Sequence, residues 1–373
     1  MYLGNSDMEL LRLAAWCKNL PSDMAGSLHT RVLDPASIRL LDQAGLAMIT
    51  KNGRSVRLRE KGWRFLQHLD IQYHKDTSYR SGYGRRIEGA RILLTFWRAG
   101  YEVFASTLED LEGPRVFALS MAARRDAARG GDIWGGAGFW GLARIGDTVV
   151  SCYHVTGHEN AALNYRNEKA MLDKAAALLK ASGAMIFAGL GYEKLIRAIG
   201  NTAISKATGK GGQRTFAEIY RNAATPVHLL ECSDTGALQL RVMAQEDYRK
   251  RLADVVLQYY GPPPVGVTAA DGLLWMRDEE SLPWLLAVDM DICRIDRTYR
   301  QAVGAGYPGL VLVCLPPQEK PLLMLYGDKR IKFVVITSED LLSAFGSLPL
   351  REPPGPYLDE EGGMIDAAHL PVD

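Results

Sequence analysis

Long apolar runs are missing from this sequence. No stretch of its 373 residues approaches the roughly 18–20 apolar residues that cross a bilayer, so no membrane partner is expected. An excess of one charge is missing too. Lys and Arg number 44 against 43 Asp and Glu, a net charge of +1, so any affinity for nucleic acid must come from local patches. Cysteine is scarce. Cys17, Cys152, Cys232, Cys293 and Cys314 are scattered and form no CxxC pair. Asp7, Glu9 and Arg12 interrupt the opening residues, so a signal peptide is not expected, and the simplest location is the cytoplasm with reduced thiols. The seven histidines are too dispersed to assemble a Ser/His/Asp nucleophile by inspection. The length suits two or three domains.

What is present begins with an ordered pattern over residues 8–70. MELLRLAAW reads as an amphipathic helix. In DPASIRLLDQAG, Asp34 is the expected N-cap and Pro35 the first helical residue, with Ile38, Leu40, Leu41 and Ala44 on the buried side and Gly45 ending the helix. Residues 46–50 and 55–59 read as strands joined through Lys51-Asn52-Gly53, which contains the favoured Asn-Gly turn pair, and Glu60 to Leu69 as a closing helix. This order resembles the winged helix-turn-helix domains of bacterial regulators. Lys51, Arg54, Arg57, Arg59, Lys61 and Arg64 face a single acid, Glu60, over residues 51–64. A basic hairpin beside an exposed helix suits phosphate contact by the wing and groove reading by the helix, with double-stranded DNA as partner. Arg31, Arg39 and Gln43 are the groove-facing candidates, because Arg and Gln can make paired hydrogen bonds to base edges. The other reading is a dimerisation or protein-docking module whose charges are solvated.

The rest of the chain reads as two weak copies of one α/β pattern. GFWGLARIGDTVVSCYHV (138–155) and GLLWMRDEESLPWLLAVD (272–289) are both expected hairpins, the first across Gly146-Asp147 and the second across 278–281. Each is followed by a helix and an apolar strand, AMIFAGLG in one and GLVLVCL in the other. Residues 85–104 read as a helix leading into a strand. Residues 226–254 and 321–345 both read as strand, polar turn, strand and helix, aligning Gln245-Glu246-Asp247 with Ser338-Glu339-Asp340. The expected class is therefore α/β (α+β), with mixed sheets covered by helices. The expected division is a winged-helix domain over 1–80, modules over 85–258 and 265–348, a stiff linker at 259–264 and a loose tail over 351–373.

Module two carries a pattern with chemical content. Nucleases of the restriction-endonuclease-like class place an acid at one strand start and acid-x-Lys at the end of the next, so that carboxylates hold Mg²⁺ and lysine assists the attacking water. Here Asp271 stands at the first position, Asp289 at the second, and Asp291 replaces the lysine. In copy one the equivalent positions are expected near Gly138 and Tyr153 to Val155, which hold no carboxylate. Winged helix, upstream Asp and the Asp289-Met290-Asp291 pair together resemble the replication-relaxation family of plasmid and conjugative-element proteins, which join a winged helix to a degenerate nuclease-like domain. Arg294, Arg297, Tyr299 and Arg300 occupy the helix where that family carries a basic residue and a tyrosine. The doubled module and the absence of Glu at 289 depart from the family pattern. The resemblance implies a regulator or accessory protein of replication or transfer, and the missing lysine weighs against catalysis.

Weaker signals are read blandly. Gly136 to Gly141 matches GxGxxG, but a strand follows it where a dinucleotide site needs a helix, so no cofactor is expected. ISKATGKG (204–211) lacks the first glycine and the final Ser or Thr of a phosphate loop, and the basic loop 199–215 is left to touch DNA or solvent. Cys152, His154, His158 and Glu159 do not complete a convincing zinc set. The sequence thus supports a homodimeric DNA-binding regulator whose modules serve oligomer or partner contact. A Mg²⁺-dependent endonuclease using Asp271, Asp289 and Asp291, and a protein-binding scaffold without DNA affinity, stand as alternatives.

Overall fold

The computed structural model describes residues 2–71, 82–120, 137–155, 162, 163, 165–200, 214, 215, 224–257, 259–275, 281–326, 330–358 and 361–364. The chain is mixed α/β. It opens with α1 (Asn5–Cys17), β1 (Leu20–Pro21) and two 3-10 turns, followed by α2 (Pro35–Gln43), β2 (Ala47–Ile49), β3 (Ser55–Leu58) and α3 (Glu60–His68). The three strands form one antiparallel sheet in the order β1-β3-β2. Local chemistry explains the boundaries. The Asp34 carboxylate accepts from the Ala36 N–H at 3.2 Å and Pro35 fills the first helical position. Gly45 closes the helix at φ +74, and Gly53, at φ +67, makes the β2–β3 turn.

Two five-stranded sheets follow, built to one plan. The first uses α4 (Tyr83–Arg98), β4 (Arg115–Leu119), β5 (Gly141–Ile145), β6 (Thr148–His154), α5 (Tyr165–Leu178), β8 (Ser182–Gly189), α6 (Tyr192–Gly200), β10 (Val227–Glu231) and α7 (Asp234–Met243). Two short strands, β7 (Ala162–Leu163) and β9 (Arg214–Thr215), pair apart from it. The second uses α8 (Tyr248–Val256), β11 (Tyr260–Gly261), β12 (Gly272–Trp275), β13 (Ser281–Leu286), α9 (Ile292–Gly304), β14 (Leu310–Cys314), α10 (Pro316–Tyr326), β15 (Ile331–Val335) and α11 (Ser338–Phe345). Their orders are β4-β5-β6-β8-β10 and β11-β12-β13-β14-β15. In each, the first three strands are antiparallel and the last three parallel, joined by helical crossovers.

The equivalence extends to single residues. Gly141 pairs with Cys152 and Gly272 pairs with Trp284. Neither glycine has room for a Cβ, which would lie 2.3 Å from the Phe117 ring in one sheet and 2.3 Å from the Gly261 carbonyl in the other. The Val155 and Ala287 N–H groups donate at 2.7 Å to Ala188 and Val313, the matching carbonyls of the next strand. Ser233 and Thr337 cap α7 and α11.

Five expectations are corrected by this layout. Residues 226–254 do not run strand, turn, strand. After β10, Ser233 caps α7, and Gly236 lies so close under the Glu231 carbonyl that helix and strand end are locked together. Residues 316–326 form α10, so the apolar run after Pro321 is helical and its copy-one counterpart is α6. Tyr260-Gly261 is no linker. It is the edge strand β11, paired with Leu274 and Leu273, so the second unit already begins at α8. The segment after Leu350 is not loose throughout either. The Asn5 N–H donates to the Gly355 carbonyl at 3.0 Å, the Ser6 hydroxyl to the Pro353 carbonyl at 3.0 Å and the Tyr357 N–H to the Leu3 carbonyl at 2.9 Å, a strap of hydrogen bonds across the start of α1. Residues 85–98 are helical as expected, but Glu102 makes only an isolated bridge to Val116.

Alternation along the strands splits the core into layers. Phe117 and Leu119 face α1, α4 and α7, while Val116 and Ala118 face α5 and α6. In the second sheet, Leu282, Trp284 and Leu286 pack with α8 and α11, whereas Leu285, Leu310 and Leu312 pack with α9 and α10. The α5–α6 side of one unit and the α9–α10 side of the other belong to one continuous apolar cluster.

Candidate functional site

The N-terminal basic face is only partly available. Ile38 and Leu41 bury one side of α2, leaving Arg39, Leu40 and Gln43 exposed. At the hairpin tip the Asn52 carboxamide oxygen accepts from the Thr50 hydroxyl at 2.7 Å and the Arg54 N–H at 3.2 Å, which holds Lys51 and Arg54 out in solvent. No acceptor for the side chains of Arg39, Lys51 or Arg54 occurs among the described residues. Arg57 and Arg59 are differently placed. The Arg57 Nε donates to Asn19 at 2.5 Å while its guanidinium sits over the Tyr83 ring. Arg59 pairs with Asp42 at 2.5 Å and donates to the Ala47 carbonyl. Lys61 is half-buried, its stem beneath Gly45. Arg31 is exposed, and its N–H is held by the Glu352 carboxylate at 2.8 Å. Glu352 also accepts from Arg98 at 3.0 Å, and Arg98 pairs with Asp234 at 2.9 Å, tying the residues before α2 to α4, α7 and the strap.

The three acids of the second unit lie near one another in sequence register but point to different partners. Asp271 accepts from the Leu286 N–H at 2.7 Å and pairs with Arg294 at 2.5 Å. Asp291 caps α9, accepting from the Arg294 N–H at 3.2 Å, and also accepts from the Val227 N–H at 3.3 Å. Asp289 is 1% exposed and receives both Tyr248, at 2.6 Å, and Arg249, at 2.5 Å. Burial would raise the Asp289 carboxyl, but the Arg249 guanidinium, His228 and the Tyr248 hydrogen bond outweigh it and hold the group below the usual carboxylate range. Burial and Asp289 together push the Tyr248 hydroxyl well above its ordinary value. Among the described residues, no three His, Cys, Asp or Glu side chains gather in a way that would hold a metal ion.

These residues sit at the seam between the two units. The Leu229 N–H donates to the Met290 carbonyl at 3.0 Å, and the Asp289 carbonyl meets His228 Nδ1 at 2.9 Å and Gln239 Nε2 at 3.0 Å. Gln318, fully buried, donates to the Val288 carbonyl at 2.8 Å. The Asp289-Met290-Asp291 stretch therefore continues the edge of β10 and closes the two sheets on each other. Sequence reasoning missed these partners. Their signal was isolated polarity inside apolar runs, such as His228 in PVHLLE and Gln239 in α7.

No family model, curated protein or solved structure matches the chain. Site assignment therefore rests on geometry. Strand pairing aligns Asp271 with Trp140, two residues on from the expected Gly138, and carries the copy-one counterparts of Asp289 and Asp291 beyond Val155 to 157–159, outside the described residues. Gly138 and Phe139 serve packing, their carbonyls accepting from Arg85 at 2.8 and 2.6 Å. The loop at 204–211, and His158 and Glu159, also lie outside the described residues. No helix among them is long and apolar enough to cross a membrane.

Proposed function

We propose that the chain is a DNA-binding regulator, or an accessory protein of replication or transfer in a mobile element, gripping duplex DNA through an N-terminal winged helix. The observation that carries this reading is the set of unengaged groups on α2 and the hairpin tip: Arg39 and Gln43 on the helix, Lys51 and Arg54 on the wing. The element order and the β1-β3-β2 sheet suit a winged helix, with α2 as the reading helix. Arg57 and Arg59, held by Asn19 and Asp42, contribute to the wing's shape more than to phosphate contact.

The helix-strand-strand-strand-helix-strand order of each later unit supports the nuclease-like reading and, through it, the resemblance to replication-relaxation proteins. Partner or oligomer contact is the proposed use of those units. Asp271, Asp289 and Asp291 are each engaged by N–H, guanidinium or hydroxyl donors, so recruiting them to Mg²⁺ would break bonds that hold the second unit together and, at Asp291, tie it to β10. A homodimer would present two reading helices to a two-fold symmetric site.

Fluorescence anisotropy on duplex DNA across a salt series tests the reading. Replacing Lys51 and Arg54 together by Ala should reduce the slope of log affinity against log salt by about 2, since each phosphate contact contributes about 0.9. Replacing Arg39 should cost about 1–3 kcal/mol on the preferred sequence and much less on random DNA. Absence of binding at low salt would sink the proposal in favour of a protein-docking module. Plasmid incubated with Mg²⁺ or Mn²⁺ should stay intact, and cutting that disappears in Asp289→Ala would restore the endonuclease.

A further inference from the structure

A cavity of about 330 Å³ opens beside the seam, between α8, α9 and the chain entering β10 at Pro226. Three guanidinium groups line it: Arg249 from α8, and Arg294 and Arg297 one turn apart on α9. One carboxylate, Asp291, faces them, and its Oδ1 is already met by two backbone N–H groups. Asp289 and Asp271 pair with Arg249 and Arg294, but neither acid lines the cavity. Arg294 uses Nε on the Ala269 carbonyl at 3.0 Å and Nη2 on Asp271 at 2.5 Å, and its buried Nη1 has no acceptor among the described residues. Arg297 is exposed and has no acceptor among the described residues.

Arg249 and Arg294 are each paired with an acid and the Arg294 Nη1 is enclosed by protein, so the guanidinium left open to meet an anion in the cavity is that of Arg297. We propose that this cavity binds a phosphate group. A guanidinium fork matches phosphate oxygens in pairs, and the free fork of Arg297 stands beside two arginines whose own charges are answered from outside the cavity lining. The volume is at the small end of ligand pockets and suits a phosphate with an attached sugar rather than a bare large cofactor. The group could be carried by a single nucleotide or by a nucleic-acid strand running along the seam. No residue is shared with the N-terminal face, so the site is independent of DNA binding there.

The experiment uses the full-length chain and the exposed Arg297, whose replacement disturbs no ion pair. Inorganic phosphate and a nucleoside monophosphate are titrated by calorimetry against chloride at equal ionic strength. In parallel, a labelled single-stranded oligonucleotide is followed by anisotropy. Wild type should bind phosphate or the nucleotide beyond the chloride control, and Arg297→Ala should weaken this roughly tenfold, the equivalent of one charged hydrogen bond. Arg39→Ala should leave it unchanged, and Arg297→Lys should recover part of it. If the oligonucleotide loses affinity in parallel, the phosphate belongs to a strand. If only the nucleotide does, the ligand is small. Equal binding by wild type and Arg297→Ala, or none beyond chloride, overturns the proposal.

Discussion

Asp289 is a nearly inaccessible carboxylate that stays charged because Arg249, His228 and Tyr248 supply what water would have supplied. Its folded pKa lies below the unfolded value of about 4, so its stabilisation is complete above that pH and fades as pH falls below it. Asp289→Asn should lower stability at neutral pH by about 2–3 kcal/mol, discounted for the 37% exposure of the Arg249 side chain, and should flatten the acid side of a urea-denaturation profile. His154 shifts in the same direction for a different reason, because it is held neutral rather than charged. Burial, and then Arg91, lower it from 6.5 to about 4, and neither ring nitrogen has a hydrogen-bond partner among the described residues. Between those values the unfolded chain takes up a proton that the folded chain refuses, so stability falls as pH drops from about 6.5 toward 4. Leu286 holds the equivalent place in the other unit. His154→Leu should remove that slope, and an unchanged profile from pH 7 to 4 would contradict it.

At the scale of elements, the paired glycines are the sharpest test of the repeat. Gly272→Ala would drive a methyl against the Gly261 carbonyl and the Trp284 ring, and Gly141→Ala would do the same against Phe117. Each should cost about 1–3 kcal/mol in thermal or urea unfolding, whereas Gly84→Ala, with open space around it in α4, should cost nothing measurable. The hairpins, α2 with its Asp34 cap and the apolar strands were legible in the sequence because strand alternation, turn pairs and caps are local signals. The misread parts were tertiary. LLMLY after Pro321 reads as a strand by composition, and only packing against α6 makes it helix. Tyr260-Gly261 reads as a linker because three prolines follow it, yet an edge strand needs only two residues facing Leu273 and Leu274. The acids were found by spacing, but spacing does not reveal that Arg249 and Tyr248, some forty residues earlier, claim Asp289.

The whole molecule is closed by two features far apart in sequence: the apolar cluster shared by both units and the strap that Arg98 and Glu352 fasten to the N-terminal region. Because the cluster is shared, the two sheets should unfold in a single calorimetric transition, and two separable transitions would contradict a common core. Cutting the chain after Leu350 should raise hydrogen exchange at the Asn5 and Arg31 amides, which lose the Gly355 and Glu352 acceptors, while leaving β13 and β14 protected.

The packing of α6 against α10, each the counterpart of the other, has a consequence for how this protein can change. Identical subunits meeting through one face receive every substitution twice, once on each side, so opposites can face each other there only by reciprocal placement. Here the two sides are encoded separately. Glu193 on one helix can therefore answer Lys320 on the other, and His228 can lie beside Asp289, with nothing repeated in mirror positions. Joining the halves in one chain frees each to specialise, and either half can accept residues that its twin never has to tolerate.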